Sequence, residues 1–268
     1  MFCTTIESHV DWIRNQDEFK FCGNSLLKKT ARLSTRMTIE LVLRYDTTKF
    51  PFQETMKKVL YLEGDITQAH TLIQGATQWD QITFQNDTAT EFHKRYYKSP
   101  HYKEMVELYH RFLQEWLLPQ LEEDEYIVQK EPSFRIHIPN NTALGKRDDQ
   151  NDDEIIGLHC DSDYNHPTAE VNYMLTITGQ SESNSCYVES EPGKADFHSI
   201  NLQYGEVFRF YGNKCRHYNK RNMTNQSRIS FDFRIIPASQ YIETESSAIH
   251  SGRKFTVGEY YMRLSKRV

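Results

Sequence analysis

Four residues carry most of the chemical information in this chain. His159 and Asp161 lie two positions apart in His159-Cys160-Asp161, His217 follows much later, and Arg228 comes soon after it on a strand-like run. Two imidazoles and one carboxylate on one face of an ion leave the opposite face open, which suits an octahedral Fe(II) that must still admit a bidentate 2-oxo acid and O2. A fixed cation just beyond the second histidine fits an anionic co-substrate.

A His-x-Asp pair alone is weak, because 11 histidines and 37 acidic residues produce such pairs by chance. The joint occurrence of His217 and Arg228, both in strand context, gives the pattern its weight. His166 and His198 are rival third ligands, but neither has an arginine at a comparable place on a following strand, and turn or surface roles suit them better. Arg228 offers a planar fork matched to a carboxylate, and Ser230, on the same strand face, offers a second donor. The competing reading of Arg228 is a structural ion pair.

Other polar residues fall near the same place. Asn172 is a candidate to hydrogen-bond the 2-oxo acid, with a satisfied core amide as the equal alternative. Arg135 and His137 share a strand face and are candidates to meet a charged substrate, although a structural hydrogen-bond role suits each of them. Tyr164 either contacts substrate or closes the turn from Asp163 to Pro167.

Strands must position these residues, and period-two alternation places the strands. Phe134, Ile136 and Ile138 alternate with Arg135 and His137. Val171, Tyr173, Leu175 and Ile177 alternate with Asn172, Met174, Thr176 and Thr178, and Val207 to Tyr211 forms a shorter mixed run. In the clearest case Ile229, Phe231, Phe233 and Ile235 alternate with Arg228, Ser230, Asp232 and Arg234. Pro192-Gly193 and Gly212-Asn213 supply turns between runs. Earlier, Ile39 to Tyr45 reads as a strand and Pro51 to Leu62 as a helix. Pro100 to Leu118 reads as an amphipathic helix, with Tyr102, Met105, Val106, Tyr109, Phe112, Leu113, Trp116 and Leu117 on one side and Pro119 behind it.

Repeated strands after a helical beginning predict an α+β fold, an antiparallel jelly roll with N-terminal helices packed on one sheet. Residues 1–125 form the mainly helical part and 126–268 the core, as one structural unit. In such a barrel the apolar strand faces pack outward on helices and the polar faces line the mouth. The polar stretch from Asn140 to Glu154 reads first as a solvated loop and second, because it precedes His159, as a lid.

Composition excludes several partners. At 268 residues the chain can bury a substantial core. A net charge of -5 and a pI near 6.1, without long one-sign blocks, give no reason to expect nucleic acid or a membrane surface as partner. No stretch reaches the roughly 18 to 20 apolar residues of a membrane span. The beginning MFCTTIESHVDW has no signal-peptide pattern, so a cytoplasmic location is expected. Five scattered cysteines, never arranged as Cys-x-x-Cys, predict neither a disulfide framework nor structural zinc.

The stretches FRIHIPNNTALG, GLHCDSDYNHPTAEVNYMLTIT and GEVFRFYGNKCRHYNKRNMTNQSRISFDFRI together resemble the Fe(II)/2-oxoglutarate-dependent oxygenases, particularly the streptomycin-biosynthesis-type branch. The resemblance implies a double-stranded β-helix core, with iron held by His159, Asp161 and His217. It also implies 2-oxoglutarate, chelating iron through its keto acid end and bound at its distal carboxylate by Arg228 with Ser230. The implied reaction consumes O2, releases succinate and CO2, and hydroxylates a small metabolite or amino-acid-like substrate. Halogenating members carry a small residue in place of the carboxylate, so Asp161 points to hydroxylation or a related oxidation. Desaturation, cyclisation and demethylation stay open, as does the oligomeric state. The alternatives are a cupin-like metal dioxygenase or isomerase that does not use 2-oxoglutarate, and a non-catalytic jelly-roll binding module.

Overall fold

The computed structural model describes residues 40–73, 87–143, 155–249 and 252–266. In chain order its strands and α-helices are β1 (Leu41–Arg44), α1 (Phe52–Leu60), α2 (Ala69–Leu72), α3 (Glu91–Lys98), α4 (Tyr102–Phe112), β2 (Glu125–Gln129), β3 (Ser133–His137), β4 (Ile156–His159), β5 (Val171–Thr176), β6 (Cys186–Val188), β7 (His198–Ser199), β8 (Glu206–Phe210), β9 (His217–Asn219), β10 (Arg228–Pro237) and β11 (Tyr261–Ser265).

The strands form two antiparallel sheets. The larger runs β1-β8-β5-β10-β2-β11, with β3 also paired to β10, and the smaller runs β4-β9-β6-β7. β10 is long enough to take two partners along one edge: β3 pairs with Arg228 to Asp232, and β2 with Ile235 to Pro237. Met174, Phe208 and Phe210 of the large sheet pack with Cys186 and Val188 of the small one. The result is a double-stranded β-helix, in which strands distant in sequence become neighbours.

Alternation along β10 decides which face is dry. Ile229, Phe231, Phe233 and Ile235 are almost fully buried and join the helices in one core. The ring of Phe231 meets Phe52 of α1 and Tyr96 of α3, and Phe233 meets Tyr109 of α4. Each such buried aromatic contributes about 1.5–3 kcal/mol. Arg228, Ser230, Asp232 and Arg234 therefore turn to the other face, between the sheets.

The helices end earlier than apolar spacing predicts. α1 stops where Tyr61 takes a left-handed conformation with φ 55°, its N–H returned to carbonyls of the last turn. α4 gives way after Phe112 to a π turn, Leu113–Leu117, and then a 3-10 turn containing Pro119. Proline lacks the N–H that would continue the α pattern, so the chain re-pairs while still burying Leu113 and Leu117. β11 is an edge strand that the sequence pattern did not single out; it pairs with β2 and buries Tyr261. Of the polar stretch considered as a lid, residues 144–154 lie outside the described residues. No helix among the described residues is long and apolar enough to cross a membrane.

Candidate metal centre

His159 is the last residue of β4 and faces His217 of β9 in register. Their ring centroids are 4.2 Å apart. After Cys160 the chain bends into a 3-10 turn, Asp161–Tyr164, which brings Asp161 back beside both rings. Asp161 Oδ1 lies 3.7 Å from His159 Nε2 and 3.5 Å from His217 Nε2. All three side chains are buried, and their ligand atoms fall within 4.8 Å of one another.

Backbone contacts hold this turn in place. Asp161 N–H donates to the Gly212 carbonyl (2.9 Å), and Asn213 Nδ2 donates to the carbonyls of His166 and Pro167. The imidazoles are oriented in the same manner: Nδ1 of His159 donates to the Gly157 carbonyl, and Nδ1 of His217 to the Cys215 carbonyl at 3.0 Å. A hydrogen on Nδ1 leaves the Nε2 lone pair free for an ion. Burial pushes the His159 imidazole down to about 4, with the neighbouring His217 adding to the effect, so the ring is neutral near pH 7.

Asp161 has a set of partners that the sequence reading missed. Its Oδ2 accepts from Arg234 Nε (3.0 Å), Arg234 Nη2 (2.8 Å) and Asn172 Nδ2 (2.6 Å), leaving Oδ1 to face the imidazoles. Burial opposes the charge on Asp161, but the Arg234 guanidinium outweighs it and holds the carboxyl well below the usual carboxylate range. One signal of Arg234 was present in the sequence, since it shares strand parity with Arg228. Its partner was not.

Asn172 is thus placed primarily to hold Asp161. Gly212 makes this possible, because a Cβ there would lie 2.8 Å from the Asn172 amide. Gly212→Ala is expected to push Asn172 off Asp161, to lower stability by about 1–3 kcal/mol through overpacking, and to weaken metal binding about 10- to 100-fold, as loss of an outer partner does. Thermal melts with metal titration check this, and an unchanged metal affinity would sink it.

Arg228 is 2% exposed and opens into the same pocket as the two histidines. Nη1 donates to Ser230 Oγ (3.3 Å) and Nη2 to Asn219 Oδ1 (3.2 Å), while Nε is buried without a partner. No carboxylate among the described residues forms an ion pair with it. Burial pulls its pKa below the ordinary value, although a guanidinium stays charged. The empty space of the pocket is about 480 Å³ with its open mouth included.

The remaining candidates separate. Arg135 lines the pocket, with Nε on Asp232 Oδ2 at 2.9 Å. His137 is not among the residues that line it, and its hydrogen bonds are those of the structural role that the sequence also offered. It is fully buried, with Nδ1 against the Asn184 carbonyl and Nε2 against the Asn141 carbonyl, because the loops after β3 and before β6 close over that end of the strand. Burial, with the nearby Arg228 charge, pushes its imidazole down to about 3. Tyr164 packs against the His159 ring, centroids 4.7 Å apart, and is not part of the pocket wall. Of the rival histidines, His166 pairs with buried Glu170 and His198 with Glu40 near the surface.

No family model matches the sequence. The streptomycin biosynthesis protein StrG of Streptomyces griseus is 31% identical over 225 residues, covering 82% of this chain and 96% of StrG. Among solved structures, EctD from S. alaskensis with bound Fe is similar at 13% identity and a TM-score of 0.49, over 82% of this chain and 83% of that one. The non-heme alpha ketoglutarate dependent carbocyclase SnoK from nogalamycin biosynthesis aligns at 12% identity and a TM-score of 0.44, over 89% and 97%. An identity of 31% sustained along nearly the whole of StrG places the chain in the StrG family.

Proposed function

We propose that this chain hydroxylates a small metabolite or an amino-acid-like group in the cytoplasm, with Fe(II) and 2-oxoglutarate as its partners and without nucleic acid or membrane. The observation that carries the reading is Arg228, a buried cation with an unpartnered Nε in the pocket that also receives His159 and His217. Taking a charge out of water costs several kcal/mol unless an opposite charge meets it. With no carboxylate of the described residues paired to it, the anion is a ligand. A metal dioxygenase or isomerase that does not use a 2-oxo acid needs no cation there.

The residues present fit both groups. His159, Asp161 and His217 would hold Fe(II) on one face, through two imidazoles and a carboxylate kept ionised by Arg234. Arg228 and Ser230 would bind the distal carboxylate of 2-oxoglutarate, and Asn219 keeps the guanidinium in plane. Together the bound metal and co-substrate supply oxidation of a substrate C–H bond by O2. The chain's own part is positioning: Arg234 and Asn172 fix the carboxylate ligand, and Met174 and Phe210 form an apolar wall that excludes water.

The test is reconstitution under anaerobic conditions with Fe(II) and 2-oxoglutarate, followed by admission of O2 and measurement of succinate. Succinate is expected even without substrate, at a slow uncoupled rate. Absence of both succinate formation and 2-oxoglutarate binding would overturn the proposal. Arg228→Met is expected to weaken 2-oxoglutarate binding about 100-fold, since losing one partner of a buried charge pair costs about 2–5 kcal/mol. A variant that binds 2-oxoglutarate as tightly as wild type would remove the assignment of Arg228.

A further inference from the structure

2-Oxoglutarate brings acceptor oxygens and no donor hydrogens, so it can satisfy Arg228 but cannot satisfy an acceptor. Two acceptors are left over in the pocket wall. Asp232 gives Oδ2 to Arg135 Nε, and its Oδ1 is buried without a partner. Asn172 spends Nδ2 on Asp161, and its Oδ1 is likewise buried without a partner. Both residues line the pocket. They lie on adjacent strands, where Asp232 is in register with Met174 and Arg234 with Asn172, so the two side chains are diagonal neighbours on one inner face. Diagonal positions stand roughly 7–8 Å apart at the backbone, within reach of two substituents of one small ring.

Buried polar atoms without partners are rare in folded proteins. Two of the same polarity on one wall describe what the occupant must bring. We propose that Asp232, held by Arg135, is a specificity-determining residue that accepts a hydrogen bond from a hydroxyl or amine of the substrate, with Asn172 Oδ1 accepting from a second such group. The substrate class is then a donor-rich small molecule, a polyol or amino alcohol. This inference rests on the proposed function for its acceptor-only co-substrate. A site built around buried acceptors strongly rejects analogues that lack the matching donors.

The tether makes one substitution informative. In Asp232→Asn the Arg135 Nε–H still requires an oxygen, so the amide must turn Oδ1 toward Arg135 and Nδ2 toward the pocket. A donor then stands where an acceptor stood.

The experiment uses the full chain loaded with Zn(II) as a redox-inert ion and with 2-oxoglutarate, and ligand-observed NMR with four probes. These are trans-cyclohexane-1,2-diol, trans-2-aminocyclohexanol, trans-1,2-dimethoxycyclohexane, and cyclohexanecarboxylate. At least one of the two donor probes is expected to bind wild type at least tenfold more tightly than the dimethoxy ether, which keeps the oxygens but lacks their hydrogens, and than the carboxylate. That comparison needs no variant, so it stands even if Asp232→Asn melts early. In Asp232→Asn the affinity for trans-2-aminocyclohexanol, whose ammonium group only donates, is expected to fall at least tenfold, whereas a diol hydroxyl can also accept from the new amide. Equal binding of ether and diol, a preference for the carboxylate, aminocyclohexanol affinity unchanged in Asp232→Asn, or no binding of either donor probe would each overturn the proposal, leaving both oxygens to ordered water. A separate titration of wild type with 2-oxoglutarate tests the proposed function by itself, so the two failures are distinguishable.

Discussion

Replacing His217 with alanine is expected to abolish metal-dependent succinate formation while leaving the fold in place. His217 belongs with His159 and Asp161 to a group of three side chains whose ligand atoms converge, and its Nε2 sits 3.5 Å from Asp161 Oδ1. Loss of an outer partner of a metal ligand weakens binding about 10- to 100-fold, so loss of a ligand itself is expected to exceed about 100-fold. The fold should tolerate the change because His217 lies on a short strand of the smaller sheet, while the aromatic core lies on the far side of the larger one. Equilibrium dialysis against Fe(II) under anaerobic conditions, succinate assay and a thermal melt check all three statements. A variant that keeps wild-type metal content and turnover would remove His217 from the ligand set.

Arg234→Met should act on stability first and on chemistry through it. Arg234 and Asp161 are both nearly inaccessible, and two guanidinium nitrogens reach Asp161 Oδ2 at 3.0 and 2.8 Å. Without the guanidinium, the carboxylate keeps only the Asn172 amide as a direct donor on that oxygen. Breaking a buried pair from one side costs about 3–5 kcal/mol, which for a domain of this size lowers the melting temperature by roughly 10 °C. A bound divalent ion restores positive charge beside Asp161, so the loss is expected to be smaller in protein loaded with Mn(II) than in protein treated with chelator. Melting curves under both conditions decide the matter. Equal losses would mean that Arg234 serves by packing alone.

The strands were legible in the sequence because period two has a single physical cause. Side chains point alternately to opposite faces, and only one face of β10 can pack on helices. Ile229, Phe231, Phe233 and Ile235 therefore marked the dry face, and Arg228, Ser230, Asp232 and Arg234 the pocket face. Helix ends were less legible. Apolar spacing continues through Leu117, and only the missing N–H of Pro119 reveals why the α pattern stops at Phe112. β11 carried no signal, because Tyr-Met-Arg-Leu-Ser opens on two apolar residues and does not alternate cleanly.

His137 shows a different limit. Parity placed it correctly on the inner face of β3, but parity says nothing about position along the barrel axis, and loops cover that end. Arg234 shows the same limit from the other side. It shares parity with Arg228, yet one arginine is locked onto Asp161 while the other keeps a free Nε.

By itself, then, the sequence determined which residues face inward and which types of ligand atom are available, since both follow from local alternation and side-chain chemistry. The tertiary structure decided the pairing of charges: Arg234 with Asp161, Arg135 with Asp232, and Arg228 with no carboxylate of the described residues. Such pairing depends on the register of β3, β5 and β10 and on the turn that returns Asp161 to Gly212, contacts between segments far apart in the chain. An electrostatic partner is set by distance in space, and no spacing along one strand encodes that distance.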